Sequence, residues 1–472
     1  MRAAGWFLVC SFLQNGISSI TTPIFTRLLS TEEYGQFNVF NSWLGIITIF
    51  VTLNLYSGVY MRGLVKYQED RKQYSSALQG LTLTLAIIWT GIYLLFRNFW
   101  NALFSLTTVQ MLAMLVMIWA SAAFSFWASY QRVDFKYRNL VLVTILVSIA
   151  KPVVGIIFVL NADDKVTARI LGLALVELIG HTGFFIVQMR QGKKFYVGKF
   201  WKHALLFNLP LVPHYLSMTI LNSSDRIMIS RMVGDDVAGI YSLAYSVAQI
   251  VTMFNTALAQ TLEPWRYQKL KEGKPEEIAK LAYPTLIFIA VLNLFVIVLA
   301  PEIVAVFAPT AYYDAIWVIP PVSMSTYFIF AYGYFAVFEF YYEKTKYVMA
   351  ATTMGAVLNI ILNYIFIGLF GYYAAGYTTL VCYMVYSFAH YYFMRRICRE
   401  YLDSKKIYSM KLVMGISFLF MAVGFVLILT YRNAIVRYIV VVILLVIILA
   451  KRNMILGYVR QLMDIRKERR KR

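Results

Sequence analysis

The chain is written as apolar runs of about twenty residues separated by short polar connections, and the pattern recurs from end to end. A run of that length crosses a hydrocarbon core of about 30 Å as a helix. Fourteen spans are expected. Six are Ala3–Thr26, Phe37–Met61, Ala77–Phe96, Val109–Tyr130, Asn139–Leu160 and Thr167–Met189. Six more are Ala204–Ser230, Asp235–Leu262, Leu281–Val306, Ala315–Phe340, Tyr347–Leu369 and Tyr372–Met394, and Leu412–Thr430 and Ile435–Ala450 complete the set. The runs are continuous and do not alternate, which excludes a β-barrel. The expected fold is an all-α polytopic membrane protein with about 14 transmembrane helices. The first run is longer than a secretory h-region and lacks a small-residue cleavage pattern, so it is expected to stay as the first span.

An internal repeat divides these spans. Arg27–Phe37 reads RLLSTEEYGQF and Arg231–Tyr241 reads RMVGDDVAGIY. Both follow Arg, two apolar residues, a small residue, an acid, then Gly and an aromatic at fixed spacing, which points to two six-helix lobes in tandem. The expected division is an N-terminal lobe at 1–190, a basic cytoplasmic linker at 191–203, a C-terminal lobe at 204–397, two further spans within 398–452 and a basic tail at 453–472.

Composition agrees. The chain is 60% hydrophobic and 14% charged, against about 25% charge in ordinary globular domains. Its 44 Lys and Arg against 23 Asp and Glu leave a net charge of +21. With both termini cytoplasmic, most of the basic residues fall in Arg2, the even-numbered connections and the tail, as the positive-inside rule requires. The basic balance is therefore membrane topology, and no nucleic-acid partner is expected. The tail RKERRKR reads as a solvated or membrane-surface segment. Cys10, Cys382 and Cys398 are scattered without a CxxC, so no disulfide framework or thiolate metal site is expected. The longest cytoplasmic connections, around Glu263–Lys280 and Arg395–Lys411, are too short for a catalytic domain. No Walker loop, HExxH or dinucleotide fingerprint occurs, so neither enzymatic activity nor a cofactor is expected. Any driving force would come from an ion or substrate gradient.

Function is then sought among polar residues inside the spans. Lys151 lies deep in the fifth span, where an ionised Lys costs about 2.5–3.5 kcal/mol on insertion scales. Glu177 sits at matching depth in the sixth. The two form either a fixed stabilising pair or a cation and acid that separate during turnover. His181, one turn from Glu177, is either a hydrogen-bonded side chain or an extension of a proton path. Pro152 removes a helix hydrogen bond beside Lys151, and Pro210 and Pro213 do the same beside His214, as hinges or as static kinks. Arg27 and Arg231 lie near outer span ends, where snorkelling competes with a cavity role. Arg226 is deeper, beside Asp225. Asn359 and Asn363 share a helix face with Gly355, read as interhelical packing or as a sugar-contacting face. The many Tyr and Trp suit membrane interfaces.

Two stretches carry a family resemblance. Ile24–Phe37, IFTRLLSTEEYGQF, and Ser224–Tyr245, SDRIMISRMVGDDVAGIYSLAY, resemble the polysaccharide transporter family, which includes O-antigen, capsule and exopolysaccharide repeat-unit flippases. The resemblance implies the fold of the multidrug, oligosaccharidyl-lipid and polysaccharide exporter superfamily: two six-helix lobes around a central cavity, working by alternating access. It also implies the bacterial inner membrane and movement of an undecaprenyl-pyrophosphate-linked oligosaccharide from the cytoplasmic to the outer leaflet. Cationic cavities of the family place a pyrophosphate-binding role on Lys151, Arg27, Arg226 and Arg231. Ion coupling to H+ or Na+ then falls to Glu177, His181 and Asp225, and hinges to Pro152, Pro210 and Pro213. Membrane lipids, a polysaccharide polymerase and a chain-length regulator are the implied partners. A peptidoglycan-precursor (lipid II-type) flippase and a drug or cation antiporter of the same superfamily stand as alternatives. A membrane polymerase or glycosyltransferase would carry a large outer loop, and none is present.

Overall fold

The computed structural model describes residues 13, 16–17, 19–134, 136, 138–453 and 457. Among these the chain is helical, with no strand. The expected span Ala3–Thr26 is therefore described only in part, and Arg2, Cys10 and the tail Arg466–Arg472 lie outside the described residues. In chain order the helices are α1 (19–28), α2 (Thr31–Thr52), α3 (Gly58–Lys66), α4 (Arg71–Leu95), α5 (Arg97–Phe104), α6 (Thr108–Val133), α7 (Arg138–Leu160), α8 (Lys165–Gly192) and α9 (Gly198–Asn208). They continue with α10 (Val212–Met232), α11 (Asp235–Lys271), α12 (Pro275–Val298), α13 (Ala300–Phe307), α14 (Ile319–Tyr341), α15 (Thr345–Phe370), α16 (Tyr373–Tyr401), α17 (Met410–Ile428) and α18 (Ala434–Ala450). Nine described segments are long and apolar enough to cross a membrane, and a tenth forms if the 3-10 turn Thr310–Trp317 and α14, bent by 51°, count together.

Several expected spans are interrupted, each for a local reason. The second run breaks after α2 because Leu53 and Asn54 take left-handed backbone angles (φ 48° and 53°), and Asn208 Nδ2 donates to the Leu53 carbonyl at 2.6 Å. The ninth run breaks at Leu299, where Pro301 begins a new short helix, α13. The tenth begins as a 3-10 turn and becomes α-helical where Pro320 and Pro321 enter at a helix start, the one place in a helix where a missing N–H costs little. In the seventh, Pro210 lies in a 3-10 turn, Leu209–Leu211, between α9 and α10, and Pro213 lies in the first turn of α10.

The chain divides into two compact units, Met1–Gly239 and Ile240–Arg472. In the first, both repeat motifs are helix starts. Ser30 caps α2 in a reciprocal box with Glu33, whose N–H reaches Ser30 Oγ at 3.1 Å while its carboxylate accepts from Ser30 N at 2.8 Å. Just before the second motif, the Ser230 hydroxyl donates to Asp235 at 2.5 Å. Ser30 and Glu33 thus satisfy open N–H groups at the start of α2. The repeated glycines meet: a Cβ on Gly35 would strike the Asp235 carbonyl, and one on Gly239 would strike the Thr31 carbonyl. Only glycine allows this backbone approach. Deeper in the unit, a buried polar chain ties α3, α4, α6 and α8. Gln79 Nε2 donates to Gln188 Oε1 at 2.7 Å and to the Ala123 carbonyl at 3.1 Å. Gln188 donates in turn to the Tyr60 hydroxyl at 3.4 Å, which lies 2.7 Å from Ser75 Oγ.

In the second unit α14 is the central post, with 18 of its 23 residues buried. Tyrosines that composition assigned to the membrane interface instead lie in this interior, their hydroxyls bonded to polar partners. Tyr408 donates to the Tyr334 carbonyl at 3.0 Å, Tyr431 to the Ile297 carbonyl at 2.6 Å, and Tyr334 meets Thr285 Oγ1 at 2.5 Å. Asn359 and Asn363 are buried and bonded to each other at 3.3 Å, and the Thr378 hydroxyl of α16 donates to Asn363. This is an interhelical bond between α15 and α16. The last helix is held by buried Arg437, whose guanidinium donates to Glu302 of α13 at 2.5 Å and to the Tyr431 carbonyl at 2.7 Å.

Replacing Gly35 by Ala is expected to lower the thermal midpoint of detergent-purified protein by several degrees, the effect of an overpacking cost of about 1–3 kcal/mol. Gly183→Ala, where a Cβ meets nothing within 4 Å, is expected to leave the midpoint unchanged in the same fluorescence melt.

Candidate functional site

Three helices of the first unit converge on one carboxylate. Helix α7 carries Lys151 as its fourteenth residue, about 20 Å along the axis from Arg138 at 1.5 Å per residue. Helix α8 packs antiparallel beside it through Gly172, where a Cβ would press within about 3.3 Å of the Val154 and Gly155 backbone, and this close approach sets Glu177 opposite Lys151. The Lys151 ammonium makes an ion pair with Glu177 Oε1. Helix α6 adds Ser121, whose hydroxyl donates to Oε2 at 2.8 Å. One turn along α8, His181 places Nδ1 2.5 Å from the same oxygen. The imidazole lies flat on Phe124, with ring centroids 4.4 Å apart.

Exposure within the cluster is uneven. The Lys151 side chain is 35% exposed, whereas those of Glu177 and His181 are 5% exposed. The acid is thus a fixed buried anchor and the cation its reachable end. Helix α7 runs unbroken through Pro152. An ammonium there can accept an anion on its open side while its buried side stays neutralised.

The other sequence-selected residues lie on other helices. Arg27, at the end of α1, is exposed and donates to the Pro23 carbonyl at 2.8 Å. On α10, Asp225 is buried, and half-buried Arg226 donates to the Asn222 carbonyl at 3.3 Å. Arg231 is exposed at the end of α10 and bonds to the Leu103 carbonyl of α5.

The structure adds charged residues that sequence reading passed over. The Arg169 guanidinium on α8 is stacked between Phe25 and Phe37, 3.6 and 3.5 Å from their ring centroids. It sits near a span end, where an Arg attracts no notice, and both rings come from distant sequence. In the second unit Arg266 is buried, donates to the Gly333 carbonyl at 2.7 Å and lies over the Tyr334 ring. Glu339 of α14 and His390 of α16 are both fully buried and 2.8 Å apart. Their only sequence signal is an acid at the end of one apolar run and a lone His inside another.

Residues 1–268, more than half of the chain, match the family model described as Polysaccharide biosynthesis protein, and residues 210–365 match the MatE model. The chain belongs to the polysaccharide biosynthesis protein family. A protein named for the Lsg locus of Haemophilus influenzae is 22% identical over 383 residues, covering 75% of this chain and 88% of that protein. An uncharacterized membrane protein of the same organism is 21% identical over 359 residues, covering 75% and 86%. Among solved structures, the lipid II flippase MurJ in an inward closed conformation shares the fold with a TM-score of 0.74 at 14% identity, over 95% of this chain and 99% of that one. An inward-facing multidrug resistance MATE family transporter follows at 0.66 and 16%, over 83% and 96%. These likenesses are in fold, and they fit the all-helical, multi-pass architecture.

Removing Lys151 alone leaves Glu177 buried with too few partners. Lys151→Met is expected to cost about 3 kcal/mol, the low end for breaking a buried pair, because the ammonium is partly exposed. The double variant Lys151→Met/Glu177→Leu is expected to recover most of that loss. A double-mutant cycle of thermal unfolding measures the coupling.

Proposed function

We propose that the protein moves an undecaprenyl-pyrophosphate-linked oligosaccharide from the cytoplasmic to the outer leaflet of a bacterial inner membrane by alternating access. One observation carries the reading: a partly exposed ammonium, Lys151, midway along an apolar helix and backed by the buried Glu177, His181 and Ser121. A pyrophosphate crossing hydrocarbon needs a cation that is already in place, since its own desolvation is the largest cost of the crossing. The sugars need a polar path, and the polyprenyl tail stays in lipid. Family membership supports the substrate class.

In this reading Lys151 receives the pyrophosphate, with Arg226, Arg27 and Arg231 as further cationic positions. Binding draws Lys151 away from Glu177, and the acid is then neutralised by an H+ or Na+ ion, with His181 and Asp225 serving the same coupling. Pro152, Pro210 and Pro213 are the flexing points. Fourteen spans follow if α1, α2, α16, α18 and the bent α14 segment join the nine clear ones, with both termini in the cytoplasm. A polymerase and a chain-length regulator would act on the product at the outer leaflet.

A second reading, a peptidoglycan-precursor flippase, is favoured by the fold match that extends over 95% of the chain. A drug-cation antiporter fits the site less well, because the reachable group is a cation.

The deciding assay is flipping in proteoliposomes, offering lipid-linked O-antigen-type sugars and lipid II separately. Wild type is expected to flip the first class. Lys151→Ala is expected to slow it about tenfold or more, the loss for one charge-assisted bond of about 1.5 kcal/mol, while eluting as a folded species. Wild-type rates in that variant would remove Lys151 from the site, and flipping of lipid II alone would select the second reading.

A further inference from the structure

The second unit holds a carboxylate–imidazole pair to which the transport reading assigns no role. Glu339 lies two residues from the end of α14, and His390 lies in the second half of α16. Both side chains are 0% exposed. His390 Nδ1 and Glu339 Oε1 lie 2.8 Å apart, at hydrogen-bond distance. Glu339 Oε2 and His390 Nε2 have no hydrogen-bond partner among the described residues. Each open atom costs free energy at this depth.

The surroundings are aromatic and sparingly charged. Tyr332 of α14 stacks on the imidazole at 5.1 Å, and Tyr386 of α16 meets it edge-on at 4.5 Å. From α11, Glu263 and Arg266 are within electrostatic reach of Tyr332, and Arg266 also acts on buried Tyr408, which precedes α17. Among the described residues no charged side chain of α12, α15 or α17 forms an ion pair with Glu339 or His390. The chain just beyond Glu339 reaches the surface. The Lys344 N–H donates to the Glu339 carbonyl at 2.8 Å, and the Lys344 ammonium forms a 2.7 Å ion pair with half-exposed Glu400 at the protein surface.

We propose that Glu339 and His390 form a proton-binding site of the second unit, filled and emptied when the seam between α14 and α16 opens toward the Lys344–Glu400 end. With one proton between Nδ1 and Oε1 and another on Nε2, the pair is net neutral and tolerates burial. Gain of a proton from water on Oε2 makes it +1, and loss of the Nε2 proton to water makes it −1. Either charged state is costly in a closed, apolar seam, so protonation and opening are linked. A metal ion does not suit the site, which offers two donor side chains, and no group of three or more metal-capable side chains occurs among the described residues. As a coupling site for transport the pair rests on the flippase reading; as a proton site it does not.

The test uses the full chain in lipid, labelled with 15N-histidine. The chain has four histidines, and loss of a signal in His390→Gln assigns His390. The expected result is two His390 ring signals in slow exchange whose ratio changes at least tenfold between pH 5 and pH 9, with the midpoint moved by a unit or more in Glu339→Gln. A single unchanged His390 signal across that range, in protein with a wild-type melt, overturns the proposal. In proteoliposomes Glu339→Gln is expected to keep flipping but show a weaker dependence on an imposed proton gradient. Full gradient dependence in that variant overturns the coupling role. Titration of His390 in a wild type that flips no lipid-linked sugar upholds the proton site and overturns the substrate reading instead.

Discussion

A carboxylate buried in an apolar helix must keep its partners, because neither lipid nor the surrounding side chains replace the water it has lost. Glu177 is that group in the first unit, and α6, α7 and α8 each supply one of its contacts: Ser121, Lys151 and, from its own helix, His181. The rest of the unit is arranged so that these helices can come close. Gly172 lets α8 lie against the backbone of α7, and the Gln79–Gln188 bond ties α4 to α8 nearer the other end. What faces outward from the cluster is a single ammonium, and its partial exposure makes it the chemically available part of an otherwise closed site.

The second unit meets a related problem largely with tyrosines. Its central helix, α14, is buried along most of its length, so its polar side chains and irregular carbonyls must be met from neighbouring helices. Tyrosine does much of this: a ring fills volume while the hydroxyl reaches a backbone carbonyl, as Tyr408 and Tyr431 do. Arg266 and Arg437 perform the corresponding task with charge, at Gly333 and at Glu302. Glu339 and His390 form a fully buried acid–imidazole pair, 2.8 Å apart.

Much of the first site was legible before the fold was seen. Equal depth in adjacent antiparallel spans placed Lys151 opposite Glu177, and helical spacing placed His181 one turn away. The repeat marked Gly35 and Gly239 as equivalent, although nothing in the sequence said that they touch. Ser121 was illegible because a lone Ser in a span has no pattern. Arg169 and the Glu339–His390 pair were missed because each depends on residues from separate helices, and apolar periodicity carries no information about which helix faces which. Tyrosine content was misleading in the same way, since composition counts rings but not the carbonyls that they reach.

By itself the sequence determined an all-helical membrane protein, the repeat at Arg27 and Arg231, and the spans in which buried charge must be paired. Those conclusions follow from the length of apolar runs and from the cost of an ion in hydrocarbon, both of which are local properties. The tertiary structure decided where runs break, as at Leu53 and Leu299, which tyrosines are interior, and which charges meet. These depend on backbone angles and on contacts between distant residues: Asn208 reaches Leu53 across 155 positions and His390 reaches Glu339 across 51. Such pairings are chosen by packing, where many helices compete for the same faces, and only the folded chain settles that competition.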